Sequence, residues 1–274
     1  MAGIEWRSYE VGHCLHPAWS TRRGGGWKVT RFPAQAFLLR HPQRGMMLFD
    51  TGYSPHFFEA TRGLPERLYR MVTPPHLGAH ESLCEQLAGD GIGADDIGMI
   101  MLSHLHGDHI GGLRDFPRSA LLCSREGWQD LRARGRLAAL RRGLLPALLP
   151  DDFHQRAGWI EQLPQVALTG PFAPFGRAYD VWGDRSVLAL ALPGHAVGHY
   201  GLLFEAGDGG QVFLVADAAW SSQALRDGVP PPALVTSLLG DHRTYLDTLA
   251  RLQQLRANVP QLRMIPSHCT EHGS

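Results

Sequence analysis

One segment constrains this chain more than any other: Ser103-His104-Leu105-His106-Gly107-Asp108-His109-Ile110-Gly111-Gly112. It follows Ile97-Gly98-Met99-Ile100-Met101-Leu102, a continuous apolar run of the kind that forms a buried strand. In extended backbone, side chains at i and i+2 point the same way, so His104 and His106 can grip one ion. Gly107 lets the chain turn, and it leaves the space between the ligands unfilled, where a larger residue would shape a pocket. Asp108 and His109 project from the turn and can serve a second ion. Imidazole with carboxylate suits zinc, and also iron, manganese or cobalt. The ordinary alternative is a polar loop that is rich in histidine because the whole chain is, with 15 histidines in 274 residues. The order of the ligands, directly after a buried strand, favours the metal.

Composition narrows the setting. Lys+Arg and Asp+Glu are 26 each, and Lys28 is the lone lysine. This balance argues against a nucleic-acid partner or an anionic membrane, which usually demand a basic excess. A hydrophobic content of 44% supports a real core. Cys14, Cys84, Cys123 and Cys269 are too scattered for a disulfide framework or a zinc ribbon. The N-terminal residues lack a signal-peptide pattern, and no apolar run reaches the roughly 20 residues of a membrane span. A cytoplasmic protein with no membrane partner is therefore expected.

Patterning predicts strands over 5–12, 27–31, 35–40, 46–50, 97–102, 119–123, 186–192, 199–206, 211–216 and 262–265, with helices over 80–89 and 241–257. Residues 124–162, rich in Leu, Ala and Arg, read as two or three helices inserted between strands. With no repeat and no low-complexity linker, the expectation is a single domain over 1–274, an α+β chain of two sheets covered by helices.

Further candidates lie at the ends of these strands. They are Leu48-Phe49-Asp50-Thr51-Gly52, Pro193-Gly194-His195-Ala196-Val197-Gly198-His199, Phe213-Leu214-Val215-Ala216-Asp217 and Ile265-Pro266-Ser267-His268. Taken alone, His195 could cap a loop and Asp217 could be an ordinary N-cap. Together with the histidine-rich segment, these motifs resemble the metallo-β-lactamase superfamily, with its HxHxDH signature, in order and spacing over most of the chain. The resemblance implies an αββα four-layer sandwich carrying a two-metal site. It assigns His104, His106 and His195 to one divalent ion, most simply Zn, and Asp108, His109 and His268 to the other, with Asp217 bridging. His272 competes with His268 for the last position, and His268 is preferred because it follows the apolar strand. Asp50 is expected to orient a ligand histidine, His199 to support one, and Cys269 to pack.

Within that superfamily the chain is similar to the N-acyl homoserine lactonases, which carry an Asp-Ala-x-Tyr element after the bridging strand. This chain has Asp217-Ala218-Ala219-Trp220, so Trp220 stands where they have a tyrosine, and an indole N–H only donates. The resemblance implies a dinuclear hydrolase, with hydroxide between the metals opening a lactone or related ester and quorum quenching as the biological role. Asp108 would pass a proton to the leaving alkoxide, and Trp220 would help hold the oxyanion or wall the substrate. A glyoxalase-II-like thioesterase is the alternative, since arginines between 125 and 156 would suit anionic thiol conjugates. Those arginines also fit the solvated faces of amphipathic helices. Leu137, Leu140, Leu144, Leu145, Leu148 and Leu149 are expected to roof the site, pack in the core or form a homodimer contact. Loops 13–26, 53–80 and 125–160 are expected to shape the substrate pocket.

Overall fold

Residues 34–39 show why the chain forms layers. Ala34, Ala36 and Leu38 are buried in one apolar cluster, and the intervening Phe37 and Leu39 in another. A strand buried on both faces needs a partner layer on each side. The structure is a computed structural model that describes residues 3–269 and Glu271. His272, the competitor for the last ligand position, lies outside the described residues.

The first sheet comprises β1 (Glu5–Pro17), β2 (Val29–His41), β3 (Gly45–Phe49), β4 (Pro75–His76), β5 (Ile97–Met101), β6 (Ala120–Cys123) and β7 (Ala157–Trp159). Its order is β4-β1-β2-β3-β5-β6-β7. The second comprises β8 (Gln165–Ala167), β9 (Arg177–Asp180), β10 (Val187–Ala191), β11 (Tyr200–Glu205), β12 (Gln211–Ala216) and β13 (Arg263–Pro266), in the order β13-β12-β11-β10-β9-β8. Phe37, Met47, Phe49 and Met101 from one sheet meet Val187, Leu202, Phe204, Val212 and Leu214 from the other in the central core. Leu83, Leu87, Ile110 and Leu131 cover the first sheet. Helix His242–Asn258 covers the second with Tyr245, Leu249, Leu252 and Leu255, spaced as one helical face requires. The result is the αββα sandwich expected from the sequence.

Several boundaries differ from expectation. Segments 27–31 and 35–40 are one strand, because Pro33 sits opposite His13 beside a bulge in β1 and so removes no needed ladder bond. Gly12 supplies the positive φ of 73° at that bulge. The insertion 124–162 is not wholly helical. Helices Arg125–Ala133, Arg136–Arg141 and Phe153–Arg156 are followed by β7, which pairs parallel with β6. Strands β8 and β9 were not anticipated, being short and weakly alternating at the sheet edge.

Topology then places the chemistry. β3 and β5 run parallel, as do β12 and β13, and two antiparallel steps make β10 parallel to β12. Within each sheet their C-terminal ends therefore face the same way, and each candidate motif begins there. The sheets are tied at this end by Tyr200 N donating to Ser103 O at 2.9 Å and by Gln35 Nε2 donating to Cys269 O at 2.6 Å.

Candidate metal centre

The histidine-rich segment leaves β5, and Gly107–Ile110 forms one helical turn. Gly107 does not border open space, contrary to expectation. A Cβ would lie 2.9 Å from both Leu145 Cδ1 and Phe57 Cε2, so the core already occupies that side. His104, His106, His195 and Asp217 come together with one ligand atom each within 4.8 Å of one another, and all four are buried. Asp108, His109 and His268 form a second group by the same measure. Asp217 joins the two. Its Oδ2 lies 3.1 Å from both His195 Nε2 and His268 Nε2, and its Oδ1 lies 3.5 Å from His109 Nε2.

Hydrogen bonds on the outer side of three of the rings fix which nitrogen faces inward. Asp50 Oδ2 accepts from His109 Nδ1–H at 2.7 Å, leaving Nε2 as the free lone pair. Pro33 O accepts from His268 Nδ1–H at 2.6 Å, with the same result. Ser103 Oγ is committed as a donor to Asp50 Oδ2 at 2.7 Å, so at 2.9 Å it accepts from His104 Nδ1–H. Asp50 also accepts from Ser103 N at 2.8 Å. It holds a left-handed φ of 63°, a conformation uncommon for a residue with a side chain and retained here by those contacts. On the inner side, His104 Nε2 and His195 Nε2 lie 2.9 and 3.0 Å from His106 Nδ1. Asp50 thus orients a histidine as expected. The roles of Ser103 and of the Pro33 carbonyl were not legible, because their partners lie up to 235 residues away in sequence. His199 Nε2 accepts from Asp217 N–H at 3.1 Å and so steadies Asp217. Cys269 packs, its thiol donating to Ser222 Oγ at 3.0 Å.

Electrostatics agree with a cation cradle. Burial, then the charges of His109, His106 and His195, hold His104 well below the ordinary imidazole range. Burial and His195 do the same for His106. Burial works against ionisation of Asp217, but His268, His109 and His195 outweigh it and keep the carboxyl well below its usual range. Burial would lower His109, yet Asp217, Asp50 and Asp108 raise it well above the usual value. His268 is likewise raised against burial, by Asp217. Protons on these two rings take the place of positive charge that the carboxylates demand. His109 Nε2 and Asp217 Oδ1 are buried with no hydrogen-bond partner, a costly arrangement unless something else satisfies them. Inward lone pairs, anionic oxygens and orphaned atoms fit divalent cations.

The centre forms the floor of a cavity of about 590 Å³ whose walls are mostly apolar, including Phe32, Leu68, Leu140 and Trp220. Trp220 is buried, and its N–H points at His195 Nδ1 at 3.4 Å. Its ring meets Phe32 edge-on, and Phe32 stacks on His268 at 4.3 Å. Segments 13–26, 53–80 and 125–160 all contribute to this lining, as does a fourth, 233–239, that was not foreseen. Of the insertion's arginines only Arg141 lines the cavity. Arg134 pairs with Asp130, Arg136 with Glu66 and Arg156 with Asp152, and Arg142 donates to Gly240 O. The leucines divide similarly. Leu144, Leu145, Leu148 and Leu149 are buried in the core, Leu140 lines the cavity, and Leu137 is exposed.

A family model described as the metallo-beta-lactamase superfamily matches residues 29–268. The chain is 27% identical over 232 residues to the N-acyl homoserine lactonase AttM of Azorhizobium caulinodans, covering 82% of this chain and 76% of that one. It is 27% identical over 208 residues to an N-acyl homoserine lactonase of Bacillus cereus, covering 74% and 70%. Among solved structures, an N-acyl homoserine lactone hydrolase with N-hexanoyl-L-homoserine at its metal centre superposes with a TM-score of 0.71. That match covers 99% of this chain and 95% of the other at 22% identity, a likeness of fold.

Proposed function

From the premise that the chain belongs to the metallo-beta-lactamase superfamily, we propose that it is a dinuclear metal-dependent hydrolase that opens a lactone or a related ester. The observation that carries this reading is the pair of ligand groups sharing Asp217 at the floor of a mostly apolar cavity. His104, His106 and His195 would hold one divalent ion and Asp108, His109 and His268 the other, with Asp217 between them. Zinc suits this donor set, and iron, manganese or cobalt are chemically admissible. Such ions supply Lewis acidity toward a carbonyl oxygen and make hydroxide available at neutral pH.

The chain's own residues do the rest. Apolar walls bind the acyl part and exclude water from it. Asp108, whose side chain is 15% exposed, can take the proton that the attacking hydroxide oxygen gives up and hand it to the leaving alkoxide oxygen. Trp220 faces His195 Nδ1, and a histidine that ligates through Nε2 carries its proton on Nδ1 and cannot accept there. The indole N–H is then released toward the cavity, where a substrate oxygen is the available acceptor. The preference for a neutral acyl ester rests on the lining. A thioesterase acting on anionic thiol conjugates is the second reading, and Arg141 is the observation in its favour.

The test is turnover of acyl homoserine lactones of several chain lengths, simple esters and a glutathione thioester by metal-loaded protein. Ring opening is expected, with the thioester slower. Thioester turnover with every lactone left intact would overturn the lactone assignment.

A further inference from the structure

Large apolar side chains are exposed in a concentrated way. Trp27 is 83% exposed, Leu234 76%, Val72 73% and Met71 66%. With Trp19, Val29, Leu68 and Leu238 they lie on three segments, 18–29, 66–72 and 233–239. The same segments line the mouth of the cavity through Trp19, Leu68, Val72 and Leu238. Their roots are tied together, since Leu15 N, just before the first segment, donates to Pro74 O, just after the second, at 3.1 Å. The Trp19 ring meets Trp27 edge-on at 5.8 Å, and Arg23 N donates to Pro230 O at 2.9 Å. The three segments that line the cavity thus also carry the exposed apolar residues, as a rim beside it. A contiguous patch of this kind marks an interaction surface.

Charge decides what the rim meets. Residues 11–49 contain no Asp or Glu, and the rim's share of them carries Arg22, Arg23, Lys28 and, just beyond, Arg31. Arg22 is spent on Asp227 and Arg31 on Glu10. Arg23 and Lys28 have no ion-pair partner among the described residues, and neither does Arg67 on the second segment, whereas Glu66 there is taken by Arg136. Segment 233–239 has no charged residue. The uncompensated charges on the rim are all positive. A second copy of this chain docked face to face by a two-fold axis would set cation against cation. Exposed tryptophans beside unpaired Lys and Arg instead match the boundary of an anionic bilayer, where indole sits at headgroup depth and each cation is attracted to the surface.

We propose that this rim docks on an anionic lipid surface, with the cavity mouth turned toward the membrane so that acyl-chain substrates enter from the lipid side. The net charge of zero conceals the patch, because it averages a cationic rim with carboxylates elsewhere. The docking does not depend on which ester is cleaved.

The experiment is vesicle flotation of the full chain, metal-loaded, at low ionic strength. It uses phosphatidylcholine vesicles and vesicles of equal parts phosphatidylcholine and phosphatidylglycerol, with the oligomeric state measured in parallel by light scattering. Flotation with the anionic vesicles is expected, weakening with added salt. Trp27→Asp and Lys28→Glu, both on exposed positions outside the core, are each expected to lower the vesicle partition coefficient about tenfold with an unchanged melting temperature. If Trp27→Asp misfolds, Lys28→Glu and the salt dependence carry the test. The proposal is overturned if the wild-type protein fails to float with anionic vesicles, or if it binds both compositions equally and the variants bind as it does. It is also overturned if light scattering shows a dimer that Trp27→Asp dissociates.

Discussion

Asp50 illustrates how a single residue can govern a centre it need not ligate. Its carboxylate accepts from Ser103 N, Ser103 Oγ and His109 Nδ1, so it sets the tautomer of His109 directly and that of His104 through the serine. Outer partners of metal-binding histidines typically hold about 10–100-fold of metal affinity. Asp50→Asn is therefore expected to weaken metal binding by that factor, measured by competition with a chromophoric chelator. Unchanged affinity would show that Ser103 alone fixes the rings. Trp220 is expected to act on the reaction and not on the metal. Trp220→Phe keeps most of the aromatic wall but loses the donor, so kcat should fall about 10²-fold while KM and metal content change little. A fall in metal content instead would assign the indole to holding His195.

At the scale of elements, the short turn Gly107–Ile110 shows how packing overrides a reading made from spacing. The sequence presents Gly107 between ligands, and a pocket-shaping role for that position follows naturally. In the fold its missing Cβ faces Leu145 from the insertion and Phe57 from helix Pro55–Ala60. Gly107→Phe is accordingly expected to destabilise the protein by about 1–3 kcal/mol through overpacking, read by urea denaturation, and not to narrow the cavity selectively. The insertion was legible as helical because its Leu and Ala content is high. Its return strand β7 was not, since three residues carry too little periodicity and form a strand only because β6 offers an open edge. Its arginines mostly bind carboxylates and carbonyls that bring distant segments together, as Arg136 does with Glu66 and Arg142 with Gly240 O.

For the whole molecule, the buried histidines couple stability to pH when metal is removed. His104 and His106 are held well below the ordinary range by burial, and His199 is pushed down to about 3 by burial and His195. The unfolded chain takes protons at about pH 6.5 that these folded rings refuse, so stability is lost as pH falls below that value. His109 and His268 are raised, so their contribution is fully present below the unfolded value and is lost only as pH rises through their folded values. They cannot offset the loss on the acid side. Chelator-treated protein should thus melt at progressively lower temperature from pH 6.5 toward pH 4, measured by calorimetry. A flat profile over that window would contradict the burial of the three rings. At neutral pH, restoring the metal should raise the melting temperature by several degrees, because ligands that bind only the folded state stabilise it by mass action.

The sequence by itself determined the residue types, their order and the strands they follow. The pattern from His104 to His109 after an apolar run, with Asp50, His195, Asp217 and His268 at later strand ends, was enough to anticipate the sandwich and the residues that gather at one end of it. Local signals suffice there because strand and ligand are adjacent in the chain. Tertiary structure decided what depends on contacts between distant segments. It brought Asp217 between two groups of ligand atoms and set Pro33 O against His268. It filled the space beside Gly107 and left the insertion with a single arginine in the cavity. It also gathered an apolar, cationic rim from segments that are unremarkable one by one. None of these is encoded in periodicity or spacing, because each is fixed by how two sheets and their covering helices close-pack in three dimensions.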